Sequence, residues 1–175
     1  MANDERPPEP GSPPPLTHLD ARGRASMVDV SAKPASHRRA VAEACVRLDP
    51  AVRQQLLAGE LPKGEGLAVA RIAGIQAAKE TARLIPLCHT LPLASVQVDF
   101  APVGEDRLQV TASAVTVAAT GVEMEAMAAA AVAALTVYDM VKSQCRGAEI
   151  ERIRLLHKSG GKSGTWDAPA GTPGP

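Results

Sequence analysis

The run "RLQVTASAVTVAATGVEMEAMAAAAVAALTVYDMVK", residues 107–142, changes its hydrophobic period once, and that change decides the fold class. From Leu108 onward apolar and polar residues alternate, as in a strand with one face on a core. After Gly121 the alternation stops. Residues 122–145 read as one helix, about 36 Å long at ~1.5 Å per residue. Its centre, "AMAAAAVAALTV", is apolar all round, which predicts burial on most sides. Gly147 is its expected C-terminal glycine. The apolar run 126–135 is shorter than the ~20 residues that span a bilayer.

Working outward, "ASVQVDF" (94–100) places Val96, Val98 and Phe100 on one strand face, and "APVGED" reads as a hairpin link to the strand at 107. A further strand is expected at about 149–157. Upstream, Ser36 resembles an N-cap, and Ala40, Val41, Ala44, Cys45 and Leu48 recur at helical spacing, so 37–48 is predicted as an amphipathic helix. Asp49-Pro50 opens a short helix that Gly59 stops. "LPKGEG" (61–66) is a loop, and a third helix runs from about Gly66 to Leu84 before Pro86. "RASMVDV" (24–30) reads as extended. Strands and helices without strict alternation predict an α+β fold, with helices packed on one face of a mainly antiparallel sheet.

The 175 residues suit one domain with tails. Residues 1–15 contain six prolines and are expected to be disordered. The folded domain is placed at 16–166, and 167–175 is a second tail. A net charge of zero and single Phe, Tyr and Trp residues argue against nucleic acid as a partner. Cys45, Cys88 and Cys145 are odd in number and widely spaced, which fits reduced thiols in a cytoplasmic protein better than a disulfide framework or a zinc site. Neither a signal peptide nor a membrane partner is expected.

Chemistry concentrates around the long helix. Glu123 and Glu125 fall in its first turn, where carboxylates suit the helix dipole. Asp139 and Lys142 share a face near its end. Following an apolar stretch, that pair is expected to be partly buried, with shifted pKa values. The stretch after it is locally basic, with Arg152, Arg154, Lys158 and Lys162 among its cations. "LLHKSGGKSG" (155–164) approaches the phosphate-loop pattern at Gly161-Lys162-Ser163. The pattern's first glycine would fall at Leu156, however, and no helix can follow, so it is not that loop. Gly160-Gly161 with the lysines reads either as an anion site or as a solvated basic strand. In "LIPLCHTLPL" (84–93), Cys88 and His89 point apart, so neither a nucleophile–base pair nor two metal ligands fit one site. A buried cysteine and one polar contact from His89 is the simpler expectation, with His89 placed in a loop to touch a ligand. By spacing alone Lys63 reads as solvated.

Four segments, "MVDVSAK" (27–33), "KGEGLAVARIAGIQAAKETARLIPLCHTLPL" (63–93), "TGVEMEAMAAAAVAALTVYDMVK" (120–142) and "LLHKSGGKSG", stand in this order and spacing. Together they resemble the cyclic pyranopterin monophosphate synthase family, the C proteins of molybdenum cofactor biosynthesis, over about residues 16–166. The resemblance implies a ferredoxin-like α+β subunit in a homohexamer, a trimer of dimers, with active sites at subunit interfaces. The implied activity is a pyrophosphate-releasing lyase. Its substrate is 3′,8-cyclo-7,8-dihydro-GTP, made from GTP by a radical GTP cyclase that is its functional partner, and its product is cyclic pyranopterin monophosphate. No cofactor is required, with room for Mg²⁺ to accompany the triphosphate.

Carried over to this chain, the implied catalytic residues are Asp139, Lys142 and Lys158. The implied substrate contacts are Leu87, Cys88, His89, Met124 and Glu125, with Lys63 and Lys162 near the substrate. Glu125 and Asp139 would lie about 21 Å apart on one helix. Either a long nucleotide spans them or two subunits meet, and the resemblance implies the second. The chain departs from the pattern at Ala119, where related sequences carry a basic residue, and at Glu65, where aspartate is common. Read without the resemblance, the residues also suit a non-catalytic nucleotide- or phosphate-binding oligomer. That protein would keep the glycine-lysine loop and have no need of Asp139.

Overall fold

The computed structural model describes residues 22–169. The tail expected at 1–15, and all but the start of that expected at 167–175, lie outside them. The elements are β1 (Ser36–Arg47), α1 (Pro50–Ala58), α2 (Gly66–Lys79), α3 (Thr81–Leu84), β2 (Leu93–Val103), β3 (Arg107–Ala118), α4 (Glu123–Val141), β4 (Glu149–Ser159) and β5 (Trp166–Asp167). They build one antiparallel sheet in the order β2-β3-β1-β4-β5. Leaving aside the short β5, this is the βαββαβ arrangement of ferredoxin-like folds, which bears out the expected α+β class. Asp167, assigned from sequence to the tail, pairs with His157 in β5.

The period-two reading of β3 holds: Leu108, Val110, Ala112, Ala114, Thr116 and Ala118 are all buried. They face α4, whose alanines Ala126, Ala129, Ala130, Ala133 and Ala134 are fully buried. Small residues on both layers let helix and sheet approach closely. Gly74 does the same between α2 and α4, since a Cβ there would stand 2.8 Å from the Ala129 carbonyl oxygen. Taken whole, α4 is long and apolar enough to cross a membrane by length and composition, but it packs here as the core helix, with half of its most apolar stretch buried.

Residues 37–48 are not a helix. Ser36–Arg47 form the central strand β1, paired with β3 on one side and β4 on the other. Ala40, Ala42, Ala44 and Val46 fit period two as well as the chosen residues fit period 3.6, and they form the core-facing set. The alternation is masked because Glu43 and Cys45, on the opposite face, are buried too. Pairing on both edges overrides the helix preference of the alanines.

Boundaries move elsewhere. The helix expected at 66–84 breaks at Glu80 into α2 and α3. β2 takes in the first half of "APVGED", to Val103, and β3 begins at Arg107, leaving a three-residue turn with Gly104 at φ 56°. α4 stops at Val141, and Gly147 neither caps it nor has a left-handed φ.

Candidate functional site

The two ends of α4 carry two separate clusters. At the N-terminal end the helix meets the start of β1, the end of β4 and the loop before β2. Two adjoining cavities lie there and share Lys33, Thr120, Gly121 and Glu123.

The larger, about 600 Å³, has five basic residues in its wall, Lys33, Arg38, Arg39, Lys158 and Lys162, against one acidic residue, Glu123. β4 delivers Lys158 to the helix side of the sheet, where its Nζ donates to Glu123 Oε1 at 3.1 Å. Beyond it, Gly160 and Gly161 both take left-handed φ values, 100° and 71°. A Cβ on Gly160 would collide with the His37 carbonyl oxygen, and one on Gly161 with the Arg38 guanidinium. Arg38 in turn donates to the carbonyls of Gly160 (3.2 Å), Ala119 (3.2 Å) and Ala118 (3.4 Å). One arginine thus ties the glycine loop to the entry of α4. Of the expected basic stretch, Arg152 and Arg154 lie elsewhere: both pair with buried Glu43, at 3.0 and 2.7 Å.

The smaller cavity, about 360 Å³, has a different character. Leu87, Cys88, His89, Met124 and Glu125 line it, with Val28 and Val30 across from them. His89 Nε2 lies 2.8 Å from the Val28 carbonyl oxygen, the single polar contact expected of it. Glu125 is only 4% exposed. Burial holds its carboxyl above the usual carboxylate range, offset in part by its own backbone N–H, with the nearby Glu123 charge adding to the rise. Burial likewise raises the Cys88 thiol, and Glu125 adds to it.

At the far end of α4, Asp139 accepts from Lys142 Nζ at 2.7 Å and lies 3.4 Å from Lys63 Nζ. Lys63 also donates to the Asp139 carbonyl at 2.7 Å, capping the end of the helix. Lys63 is therefore not simply solvated. The expected burial of this pair is not found in the single chain, because the Asp139 and Lys142 side chains are 57% and 54% exposed. The hydrogen bond and charge of Lys142, then those of Lys63, lower the Asp139 pKa, and Asp139 raises that of Lys142. In one chain this is a settled ion pair.

The family model for MoaC proteins matches residues 27–161, from the start of "MVDVSAK" through Gly161. The chain belongs to the MoaC family. A cyclic pyranopterin monophosphate synthase of Thermomicrobium roseum is 58% identical over 152 residues, covering 86% of this chain and 92% of the relative. One from a Nostoc species is 54% identical over 156 residues, covering 89% and 93%. The family match spans both cavities and the Asp139 cluster, leaving out only Lys162 and Ser163 of the residues above.

The structure gathers Leu87, Cys88, His89, Met124, Glu125, Lys158 and Lys162 around the first turn of α4, and Lys63, Asp139 and Lys142 around its last. It does not bring Lys158 to Asp139. Sequence reasoning missed Lys33, Arg38 and Arg39. The latter two sat in a segment read as helix, where their approach to a glycine loop more than a hundred residues later leaves no local mark. Among the described residues, no group of three or more His, Cys, Asp or Glu side chains is placed to hold a metal ion.

Proposed function

We propose that this protein is a cyclic pyranopterin monophosphate synthase, converting 3′,8-cyclo-7,8-dihydro-GTP to cyclic pyranopterin monophosphate and pyrophosphate. The observation that carries the reading is the pair of adjoining cavities. One is rimmed with cations and the two loop glycines, which suits a triphosphate. The other offers a buried carboxylate and a histidine, groups suited to the donors and acceptors of a purine-derived ring. A nucleotide laid across both places its α-phosphate near their shared wall, at Glu123 and Lys158.

Cyclisation forms a bond from a substrate hydroxyl oxygen to the α-phosphorus and breaks the bridging bond to pyrophosphate. The hydroxyl proton passes to a base, and the departing charge is met by lysines and the glycine loop. Rearrangement of the ring needs a further acid and base. Asp139 with Lys142 supplies them, and Lys63 holds Asp139 in place. A Mg²⁺ on the triphosphate would find one carboxylate in the cationic cavity, Glu123, already paired with Lys158. The basic residues therefore carry most of the neutralisation, and no cofactor is invoked.

The Asp139 cluster reaches this nucleotide only from a second chain. The outer face of α4 supports such an arrangement. Met124, Ala128, Ala131 and Leu135 follow helical spacing along it, and Leu135 is 56% exposed. Two copies packed through this stripe in antiparallel sense set the Glu123 end of one against the Asp139 end of the other, giving two composite sites per dimer. Three such dimers make the homohexamer. The enzyme would work in the cytoplasm, downstream of the radical GTP cyclase, as a phosphorus–oxygen lyase. Asp139→Asn, assayed for nucleotide binding and pyrophosphate release together, tests the reading. Binding is expected to persist while turnover falls by ~10²-fold or more; unchanged turnover would refute it.

A further inference from the structure

We infer that Asp167 is a positioning residue of this site. Through His157 it latches β5 onto β4, and so holds the glycine loop, with Lys162, at the cationic cavity. The inference rests on reading that cavity as the phosphate end of the site.

The glycine loop is the turn of a hairpin. β4 enters it at Ser159, and β5 leaves it at Trp166. The return strand is short. Two residue pairs, Lys158 with Trp166 and His157 with Asp167, join it to β4. Beyond them the Ala168 N–H donates to the Leu156 carbonyl at 2.8 Å, and within the loop the Gly164 N–H donates to the Gly161 carbonyl at 3.2 Å. So short a ribbon is marginal on backbone pairing alone. A side-chain contact across it then decides how firmly it closes. His157 Nδ1 and Asp167 Oδ1 supply that contact, 2.8 Å apart, with the ring nitrogen donating to the carboxylate.

The pair lies on the far side of the sheet from the site. Cross-strand partners share a face. Lys158 stands opposite Ala40, a fully buried member of the helix-facing set, and His157 stands opposite Val41 on the outer face. Trp166 therefore flanks Lys158 on the helix side, beside the strand that delivers Lys158 to Glu123. His157 and Asp167 face outward, and neither is in the wall of either cavity. They can act on the anion site only through the hairpin that they close. Arg38 ties the near end of the loop to β1 through the Gly160 carbonyl. The latch ties the far end to β4. With both ends fixed, Lys162 is presented to the cavity with little ordering left for binding to impose.

Trp166 is the chain's single tryptophan and lies in β5 itself, so its fluorescence reports the latch directly. The experiment measures acrylamide quenching of Trp166 and calorimetric binding of inorganic pyrophosphate. It uses the full chain as wild type, Asp167→Ala and Asp167→Asn. The Asp167 side chain is 72% exposed, so the subunit fold does not depend on it. Asp167→Ala should be quenched more readily, and should bind pyrophosphate about three- to five-fold more weakly, near the upper end for an exposed pair. Asp167→Asn keeps an acceptor for His157 Nδ1 and should recover part of both losses. In turnover, KM should rise more than kcat falls, because the loop meets phosphates and not the acid–base pair. An Asp167→Ala variant with unchanged quenching, or with unchanged pyrophosphate affinity, would overturn the inference and leave the phosphate-end reading in place. Wild type that fails to bind pyrophosphate would remove that reading and this inference together.

Discussion

Glu123 and Asp139 occupy the first and last turns of the same helix, about 24 Å apart along its axis, and each holds a lysine: Lys158 at one end, Lys142 at the other. A rigid core helix cannot bring these ends together. On the proposed function, the Asp139 cluster and the two cavities would be halves of one site that a second chain completes. This also accounts for the state of Asp139. Alone, it is an exposed carboxylate with a lowered pKa. Placed against the cations of another copy's cavity, Lys142 and Lys63 would face further positive charge, the condition that lowers a lysine pKa toward neutrality.

Mixing two inactive variants tests this division directly. Asp139→Asn damages only the C-terminal half, and Lys158→Ala only the N-terminal half. In a twofold dimer of one of each, one site combines both lesions and the other has none. Co-refolded or co-expressed mixtures should regain roughly a quarter of wild-type activity, the share expected from random pairing in twofold dimers. If each site used one chain only, the mixture would stay inactive, which a pyrophosphate-release assay distinguishes at once.

The stripe on α4 gives a second test. Leu135→Glu adds a charge at an exposed position, so the subunit fold should change by less than about 0.5 kcal/mol. Assembly should suffer instead, because each copy would bury a charge in the apolar stripe. Sedimentation velocity should show smaller species, circular dichroism an unchanged fold, and activity should fall with the loss of assembly. A variant that stays assembled and active would move the interface off this face.

Much of this is legible in the sequence alone. The switch of period at Gly121 places β3 and α4 correctly, because an alternating strand and an alanine-rich helix bury different patterns. The short helix after Asp49-Pro50 was equally clear, since Pro and Gly mark its two ends. β1 was not. A strand buried on both faces loses its alternation, and its alanines favour the wrong element. That one error hid Arg38, whose partners come from the β3–α4 junction and the glycine loop. The identities of Glu125, His89 and Lys158 could be carried over by resemblance. Their grouping at one end of α4, away from Asp139, required the register of β4 on β1.

Glu125 predicts a pH dependence of stability with a defined sign. Burial raises its folded-state pKa above the unfolded value, so the folded chain holds the proton more tightly. Stability contributed by the protonated form is present at low pH and is lost as pH rises from the unfolded pKa through the folded one. Glu125→Gln, which cannot ionise, should therefore raise the melting temperature at pH 7.5, and the gain should shrink as pH falls through that window. The same variant should lose ~10-fold or more in nucleotide affinity, because a charged acceptor is gone from the smaller cavity. An advantage of the variant that grew on acidification would contradict the assigned burial.

The glycine loop separates backbone strain from steric overlap. Gly164 has a left-handed φ of 65° with open space where a Cβ would go. Gly160 and Gly161 combine left-handed φ with Cβ positions already filled by the His37 carbonyl and the Arg38 guanidinium. Gly164→Ala should cost about 1–2 kcal/mol from strain alone. Gly160→Ala should cost about 2–4 kcal/mol, because strain and overlap combine against a backbone atom that cannot swing away. Gly161→Ala meets a side chain, so its expected cost shows in binding as well: displacing Arg38 releases the loop from Ala118 and Ala119 and loosens the anion cavity. Denaturant melts should rank the losses Gly160 above Gly164. Pyrophosphate titration should find Gly161→Ala impaired beyond what its melting point explains, since a loop freed from Arg38 must be ordered again by the ligand. Equal costs at Gly160 and Gly164 would mean that the loop is not held against β1 in solution.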